Sequence, residues 1–413
     1  MPRVLFIHNG TPGRFEFLAR ELTRQGWTTA TINDPGGLPL PGGPTLKWKL
    51  ERGSTPGLFT PATRAEIDLL RGNAAAQCAL ELKQQGFEPD LIIGHPGWGE
   101  MCFLKEVFPK APQIQIGEFY YSSHGADVGF DPEFGGEINT AEAFRVHAKN
   151  AVLSMSMADA VRIVAPTPFQ GSLLPEVFQS RTSVIHEGID TALAKPIPGT
   201  ELRLKSGAVL SRKVPVITYV SRRFEPLRGF HSFMRALPRV LAEVPDAHVV
   251  LVGSDSPKGY GPRPPEGKTW VDIMVAELGA RLDPARVHFT GPLDYAQMIS
   301  VLSLSRVHVY LTYPFVLSWS LLDAMACECV VIGSDTAPVR DAITADVNGL
   351  MVDFFDVDGL SDKLIQVCRT PKKYARLGKA ARETVLAQYD RQGKCQPQWL
   401  ALVELVMGHP TVH

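Results

Sequence analysis

Val214-Pro215-Val216-Ile217-Thr218-Tyr219-Val220 leads through Ser221-Arg222-Arg223-Phe224-Glu225-Pro226-Leu227-Arg228-Gly229 into a segment with a helical repeat. The first seven residues are mostly apolar, as in a parallel strand buried on both faces. Beyond Gly229, apolar side chains recur at Phe230, Phe233 and Met234, Leu237, Val240 and Leu241, a period of 3.6. A strand feeding a helix through a short turn is the repeating unit of an open α/β sheet, and ligands bind at that turn. Arg222, Arg223 and Arg228 place fixed cations there, and guanidinium forks suit phosphate oxygens. Exposed turn charges and ligand-binding groups are the two readings of such arginines. Gly229, which would let a backbone approach a ligand closely, favours the second.

Outward from this stretch, strand-like and helix-like runs alternate along all 413 residues, long enough for two cores. In the first half, strands are expected at 3–8, 90–94, 113–117, 160–164 and 183–186, with helices at 15–25, 63–85 and 140–158. Residues 35–62 and 125–136 read as irregular loops, and 190–213 as a linker. In the second half, strands are expected at 214–220, 248–252, 287–290, 307–311, 330–333 and 350–352, before final helices at 372–388 and 396–407. The expected domains are 1–190 and 191–390, with 391–413 as a terminal helix.

A net charge of −1 provides no general attraction for nucleic acid. The six cysteines are scattered and lack zinc-site spacing, which suits reduced thiols in a cytoplasmic protein. The chain enters a strand directly from Met1, without a signal-like leader, and no apolar run reaches the length of a bilayer span. Membrane contact is expected to be peripheral at most, with Lys47-Trp48-Lys49-Leu50 as the one weak candidate.

A second motif begins at Tyr313-Pro314-Phe315-Val316-Leu317-Ser318-Trp319 and continues to Asp323. Ser318 reads as an N-cap, and free N–H groups at such a helix start bind phosphate without a metal. Asp323 could accept a ribose diol or be an ordinary surface acid. In the first half, Gly10 and Gly13 flank a tight turn that is either structural or ligand-binding. His95, in His95-Pro96-Gly97-Trp98-Gly99-Glu100, and Glu118 both follow strands, at the edge where sites form. Asp356-Val357-Asp358 resembles a metal-holding acidic pair, but a helix follows and Asp356 reads as its cap.

On these residues the chain resembles the retaining glycosyltransferases of family four, which have the GT-B fold. His95–Glu100 and the loop Ala126-Asp127-Val128-Gly129-Phe130-Asp131-Pro132 resemble a bacterial subgroup. The resemblance implies two Rossmann-like domains facing a cleft, an acceptor-side first domain, a donor-binding second domain, and a last helix that returns to the first. It implies that Arg222 and Arg228, six positions apart, hold the donor diphosphate, with Arg228 in place of the family's Lys. Phe289 and Thr290, in Val287-His288-Phe289-Thr290-Gly291, stand where the family lines its nucleobase pocket. Gly10, Gly13, Val316, Leu317, Ser318 and Trp319 complete the donor site.

The family's paired acids fall at Phe315 and Asp323, so the acid that contacts donor-sugar hydroxyls is replaced by a phenyl ring. Glu118 stands at the place of the family's catalytic histidine, with His95 and His124 as alternatives nearby. The implied activity is metal-independent transfer of a hexose, with retention, from a nucleoside diphosphate sugar. The donor would be a UDP-sugar first and a GDP-sugar second, and no cofactor is implied. Glycan, lipid-linked and small-molecule acceptors are all open, in polysaccharide biosynthesis or related routes. A nucleotide-sugar epimerase and a non-catalytic nucleotide- or glycan-binding regulator are the rival readings.

Overall fold

In the computed structural model, which describes residues 1–10, 13–135, 137–204, 207 and 209–408, the chain divides into two compact units. The first comprises Met1–His124, Ile138–Glu187 and Gln392–His413, and the second Gly125–Glu137 and Gly188–Arg391.

Seven strands form the sheet of the first unit: β1 (Arg3–Ile7), β2 (Thr28–Asn33), β3 (Thr45–Lys47), β4 (Leu91–Gly94), β5 (Gln113–Ile116), β6 (Arg162–Ala165) and β7 (Thr182–Val184). All pair in parallel, in the order β3-β2-β1-β4-β5-β6-β7. Parallel strands need crossovers, and the helices that make them cover both faces. Alternate residues of β1 show the result. Val4 and Phe6 join a core with Leu18, Leu22 and Trp399, while Leu5 and Ile7 join another with Ala75, Ala79 and Leu82. The terminal helix Gln396–Gly408 lays Trp399, Leu402, Val403 and Val406 onto the first of these cores. The Trp399 indole N–H donates to the His186 carbonyl at 3.3 Å, which satisfies the polar end of a buried ring.

The second unit opens with an antiparallel hairpin of β8 (Glu201–Arg203) and β9 (Val209–Ser211). Its main sheet uses β10 (Val216–Arg223), β11 (His248–Ser254), β12 (Val287–Gly291), β13 (Val307–Tyr310), β14 (Val331–Ser334) and β15 (Leu350–Val352). Their order is β12-β11-β10-β13-β14-β15, again all parallel. In each sheet the strand order reverses beside one central strand, β1 in the first and β10 in the second. A crevice opens there at the carboxyl ends of the strands.

The structure revises several expectations. Strand β10 runs on through Arg222 and Arg223, with a register shift after Val220, so these arginines end a strand and do not begin a loop. The expected loop at 35–62 contains β3, and the expected linker contains the β8–β9 hairpin. Strand β2 escaped the sequence reading because Thr-Thr-Ala-Thr-Ile-Asn has few apolar residues, yet Thr29 and Thr31 are buried. The expected helix 140–158 is two, Thr140–Ala148 and Ala151–Ala158. The segment Gly125–Glu137, expected in the first domain, groups with the second unit, and the boundary between units falls after Glu187. Thr11, Pro12, Gly136 and the last residues of the terminal segment lie outside the described residues.

Candidate functional site

At the switch point of the second sheet, β10 ends with Arg222 and Arg223 and leads into the turn that carries Arg228. Pro226–Arg228 make one 3-10 turn, and Gly229 adopts φ +66° before the helix Phe230–Glu243. A Cβ at Gly229 would lie 2.4 Å from that of Leu311, so glycine is required both by its conformation and by the close approach. Arg228 Nη1 donates to Tyr310 Oη (3.2 Å), Thr312 Oγ1 (2.9 Å) and the Val316 carbonyl (2.9 Å). These are neutral acceptors. Among the described residues, neither Arg228 nor Arg222 has an ion pair with a carboxylate, and Arg222 is exposed at the strand end. The guanidinium charge is oriented but not neutralised.

The second motif packs against this turn. Ser318 caps the helix Trp319–Ala326, its hydroxyl accepting the Ser320 N–H at 3.4 Å. The Ser318 N–H itself is already engaged with Tyr310 Oη at 2.7 Å, so one of the N–H groups expected to be free there is not. Phe315 is buried against Tyr260 (5.6 Å between centroids), and the Arg228 guanidinium stands 5.7 Å from its ring. Leu317 turns into the core, which leaves only its backbone for a ligand. Phe289 packs edge-on to Phe224 at 5.7 Å, and Thr290 Oγ1 donates to the carbonyls of Leu251 and Gly291.

Asp323 is not the surface acid that the sequence left open. It is 4% exposed and accepts the Tyr295 hydroxyl at 2.8 Å, and burial pushes its carboxyl up to about 7. Glu225, which the sequence reading passed over, is likewise buried beside Arg228 and pushed up to about 7 by burial. A protonated Glu225 leaves the cations of the turn uncancelled.

Residues 125–137 bring a further cluster to the second unit. Asp131 Oδ2 accepts the Tyr313 hydroxyl at 2.7 Å and lies 3.2 Å from His231 Nε2. Asp131, Glu133 and His231 have the donor types of a metal site. Both Glu133 oxygens, however, are bonded by Arg235 at 2.6 and 2.7 Å, so the donors are committed to a polar latch beside the Tyr313 loop. Asp356 caps its helix, accepting the Gly359 N–H at 2.8 Å.

The first unit gathers its own polar cluster at the strand ends. His95 Nδ1 accepts the Gly97 N–H at 3.0 Å, and Nε2 lies 3.2 Å from Glu118 Oε2. That places the proton of a neutral imidazole on Nε2. Arg14 pairs with both Glu118 and Glu187. Burial alone would raise Glu118, but Arg14 and the His95 hydrogen bond outweigh it and hold the carboxyl well below its ordinary range. Gly10 donates its N–H to His8 Nδ1 at 2.8 Å, and His8 meets His95 edge-on at 5.5 Å. Gly13 is described at φ +24°. His8, Arg14 and Glu187 were not singled out from sequence; only His8, directly after β1, had a position that could have flagged it. His124 lies away from these contacts, its carbonyl taking the Ser122 hydroxyl.

Residues 25–194 match the family model Glycosyl transferase family 4 group, and residues 205–384 match Glycosyl transferases group 1. Each half of the chain thus matches a glycosyltransferase family model, the first half that of the family 4 group. A GDP-mannose-dependent monoacylated alpha-(1-6)-phosphatidylinositol monomannoside mannosyltransferase of Corynebacterium glutamicum is 29% identical over 182 residues, 42% of this chain and 43% of that protein. The chain spans less than half the length of this and the next curated relatives it matches. Sucrose-phosphate synthase from Thermosynechococcus elongatus superposes with a TM-score of 0.74 at 17% identity, covering 99% of this chain and 100% of that one. Anabaena Alr3699/HepE, solved with UDP and glucose, superposes with a TM-score of 0.68 at 14% identity, covering 98% and 100%. The two parallel-sheet domains therefore have the GT-B fold. No helix among its described residues is long and apolar enough to cross a membrane.

Proposed function

We propose that the protein transfers a hexose from a nucleoside diphosphate sugar to an acceptor hydroxyl, with retention at the anomeric carbon and without a metal. The observation that carries this reading is the turn at the second switch point. Arg228 is fixed by three neutral acceptors, and Arg222 is exposed at the end of β10, the strand that leads into this turn. A departing diphosphate gains negative charge, and preorganised donors stabilise it without reorganising during the reaction. Removing one such donor costs about 10²–10³ in rate in comparable sites. Phe289 and Thr290 would border the base, the backbone of 315–319 the phosphates and sugar, and Asp323 the ribose.

Glu118 is held by Arg14 and His95, which suits a positioning or electrostatic role better than attack on the anomeric carbon. The reading is therefore a front-face substitution, in which a leaving phosphate oxygen takes the acceptor's proton. The names of relatives support two donors as first probes: one is GDP-mannose-dependent, and HepE was solved with UDP and with UDP-glucose. Glycan, lipid-linked and small-molecule acceptors remain in the proposal, with membrane contact at most peripheral and a cytoplasmic location. Trp48 lies in a core and offers no exposed anchor.

Calorimetry with UDP and GDP tests the reading. Arg222→Ala and Arg228→Ala should each weaken binding of whichever nucleotide the wild type takes; unchanged affinity in both overturns the assignment. A second reading, a nucleotide-binding regulator without catalysis, draws on Phe315, whose buried ring cannot accept sugar hydroxyls. Nucleotide-sugar binding without turnover across a broad acceptor panel would favour it. An altered donor formed without any acceptor would instead indicate an epimerase.

A further inference from the structure

The cluster at the first unit's switch point has a chemistry opposite to that of the arginine turn. His8 follows β1, His95 follows β4 and Glu118 lies just beyond β5, so three neighbouring strands deliver them to one edge. With its Nδ1 accepting the Gly10 N–H, His8 carries its proton on Nε2, and no described residue accepts that N–H. Its ring sits among Phe15 (5.8 Å), His95 (5.5 Å) and Trp98 (5.8 Å), each edge-on. Trp98 is half-buried, with the His95 ring 4.5 Å from its own. Gly97 permits this arrangement, because a Cβ there would lie 2.6 Å from the His95 ring.

The charges leave no cation to spare. Arg14 is shared by two carboxylates, Glu118 and Glu187, and its charge is committed to them. His8 does not add a positive one. Burial, then His95 and Arg14, lower it to about 3, and only Glu118 and the Gly10 hydrogen bond act the other way. The site thus offers an uncharged N–H donor, a half-exposed indole and a carboxylate acceptor.

We propose that His8, Trp98 and Glu118 form a subsite for an uncharged polyhydroxylated ring, the sugar or cyclitol of the acceptor, and select against a phosphorylated or carboxylated one. The indole covers the C–H face of such a ring, His8 Nε2–H donates to a hydroxyl oxygen, and Glu118 accepts a hydrogen bond from another hydroxyl. A phosphate here would meet the ionised Glu118 carboxylate, with Arg14 already committed to its own acids. This inference rests on the transferase reading and names the class of its acceptor.

The test is saturation-transfer NMR and calorimetry on the full chain with UDP or GDP present. The probes are methyl α-D-glucopyranoside, methyl α-D-mannopyranoside and myo-inositol, each set against glucose 6-phosphate. At least one neutral ring should bind more tightly than the phosphate. Its affinity should fall about five- to tenfold in His8→Phe, the loss of one hydrogen bond, and in Trp98→Leu. Nucleotide affinity should hold in both variants, which also reports their folding. Binding should be flat from pH 5.5 to 8, because His8 stays neutral there. Tighter binding of the sugar phosphate, a loss of affinity below pH 6.5, or indifference to both substitutions overturns the proposal. So does a His8→Phe defect confined to UDP-glucose or GDP-mannose, which would place the donor's sugar here. If the wild type binds neither UDP nor GDP, the transferase reading itself falls.

Discussion

Asp323→Asn should make the protein more stable at alkaline pH and a poorer nucleotide binder. The carboxyl lies 4% exposed in the first turns of the helix Trp319–Ala326, with the Tyr295 hydroxyl its nearest donor at 2.8 Å. Burial raises its midpoint from 3.8 to about 7. A raised midpoint means that the folded state holds a proton that the unfolded chain has released. Stability is therefore full below pH 3.8, declines as pH rises, and levels off above about 7. Each tenfold step in proton affinity is 1.36 kcal/mol, so the mismatch between the folded and unfolded midpoints lowers stability by about 2 kcal/mol at pH 5, where the folded state must hold a proton, and by about 4 kcal/mol at pH 8. The substituted side-chain amide keeps an oxygen for Tyr295 and has nothing to ionise. Urea unfolding followed by tryptophan fluorescence should show the variant gaining about 2–3 kcal/mol on the wild type between pH 5 and pH 8. Over the same range, wild-type nucleotide affinity should rise as the carboxylate forms to accept a ribose diol, and that rise should vanish in the variant. A stability gap that is the same at both pH values would refute the burial argument. An unchanged affinity profile would remove Asp323 from the nucleotide site.

Two further substitutions test the frame that holds the sites. Gly229→Ala forces a Cβ into left-handed backbone 2.4 Å from Leu311 Cβ, and should cost at least about 2 kcal/mol in chemical denaturation while displacing Arg228. Trp399→Ala empties a fully buried place under β1 and should cost about 3–5 kcal/mol, with faster amide exchange along Gln396–Gly408.

Much of the fold was legible because buried parallel strands are written as unbroken apolar runs. Residues 214–220, 248–252 and 330–333 announce themselves in that way, and their helices carry a clear period. β2 and β3 were not legible, since threonines and a proline-rich approach hide strands that tertiary packing nonetheless buries. At the site, Arg228 could be placed from the strand, turn and glycine around it, and the Asp356 cap from the helix that follows. His8 could not, because a polar residue ending a strand has no local signature. Its surroundings emerge only when β4 and β5 bring His95 and Glu118 to the same sheet edge. Asp323 was visible as an acid on a helix, but its partner Tyr295 lies 28 positions away, beyond the reach of any periodicity.

The two switch points differ in charge, and that difference follows from which arginines are neutralised. Arg14 is met by two buried or half-buried carboxylates, so its role is internal: it holds Glu118 ionised and in place. Arg228 meets a phenol, a threonine hydroxyl and a carbonyl, groups that orient a guanidinium without taking up its charge. The nearest acid in sequence, Glu225, is raised to about 7 by burial, so near neutrality it is ionised only in part and competes weakly for that guanidinium. Had Phe315 been a carboxylate, it would have stood beside Arg228 and offered the ion pair that its ring does not. On the proposed reading, the ring at position 315 forgoes a sugar-hydroxyl acceptor and leaves the Arg228 charge uncancelled for a diphosphate. A Phe315→Glu variant would therefore gain a hydroxyl acceptor at the expense of diphosphate affinity.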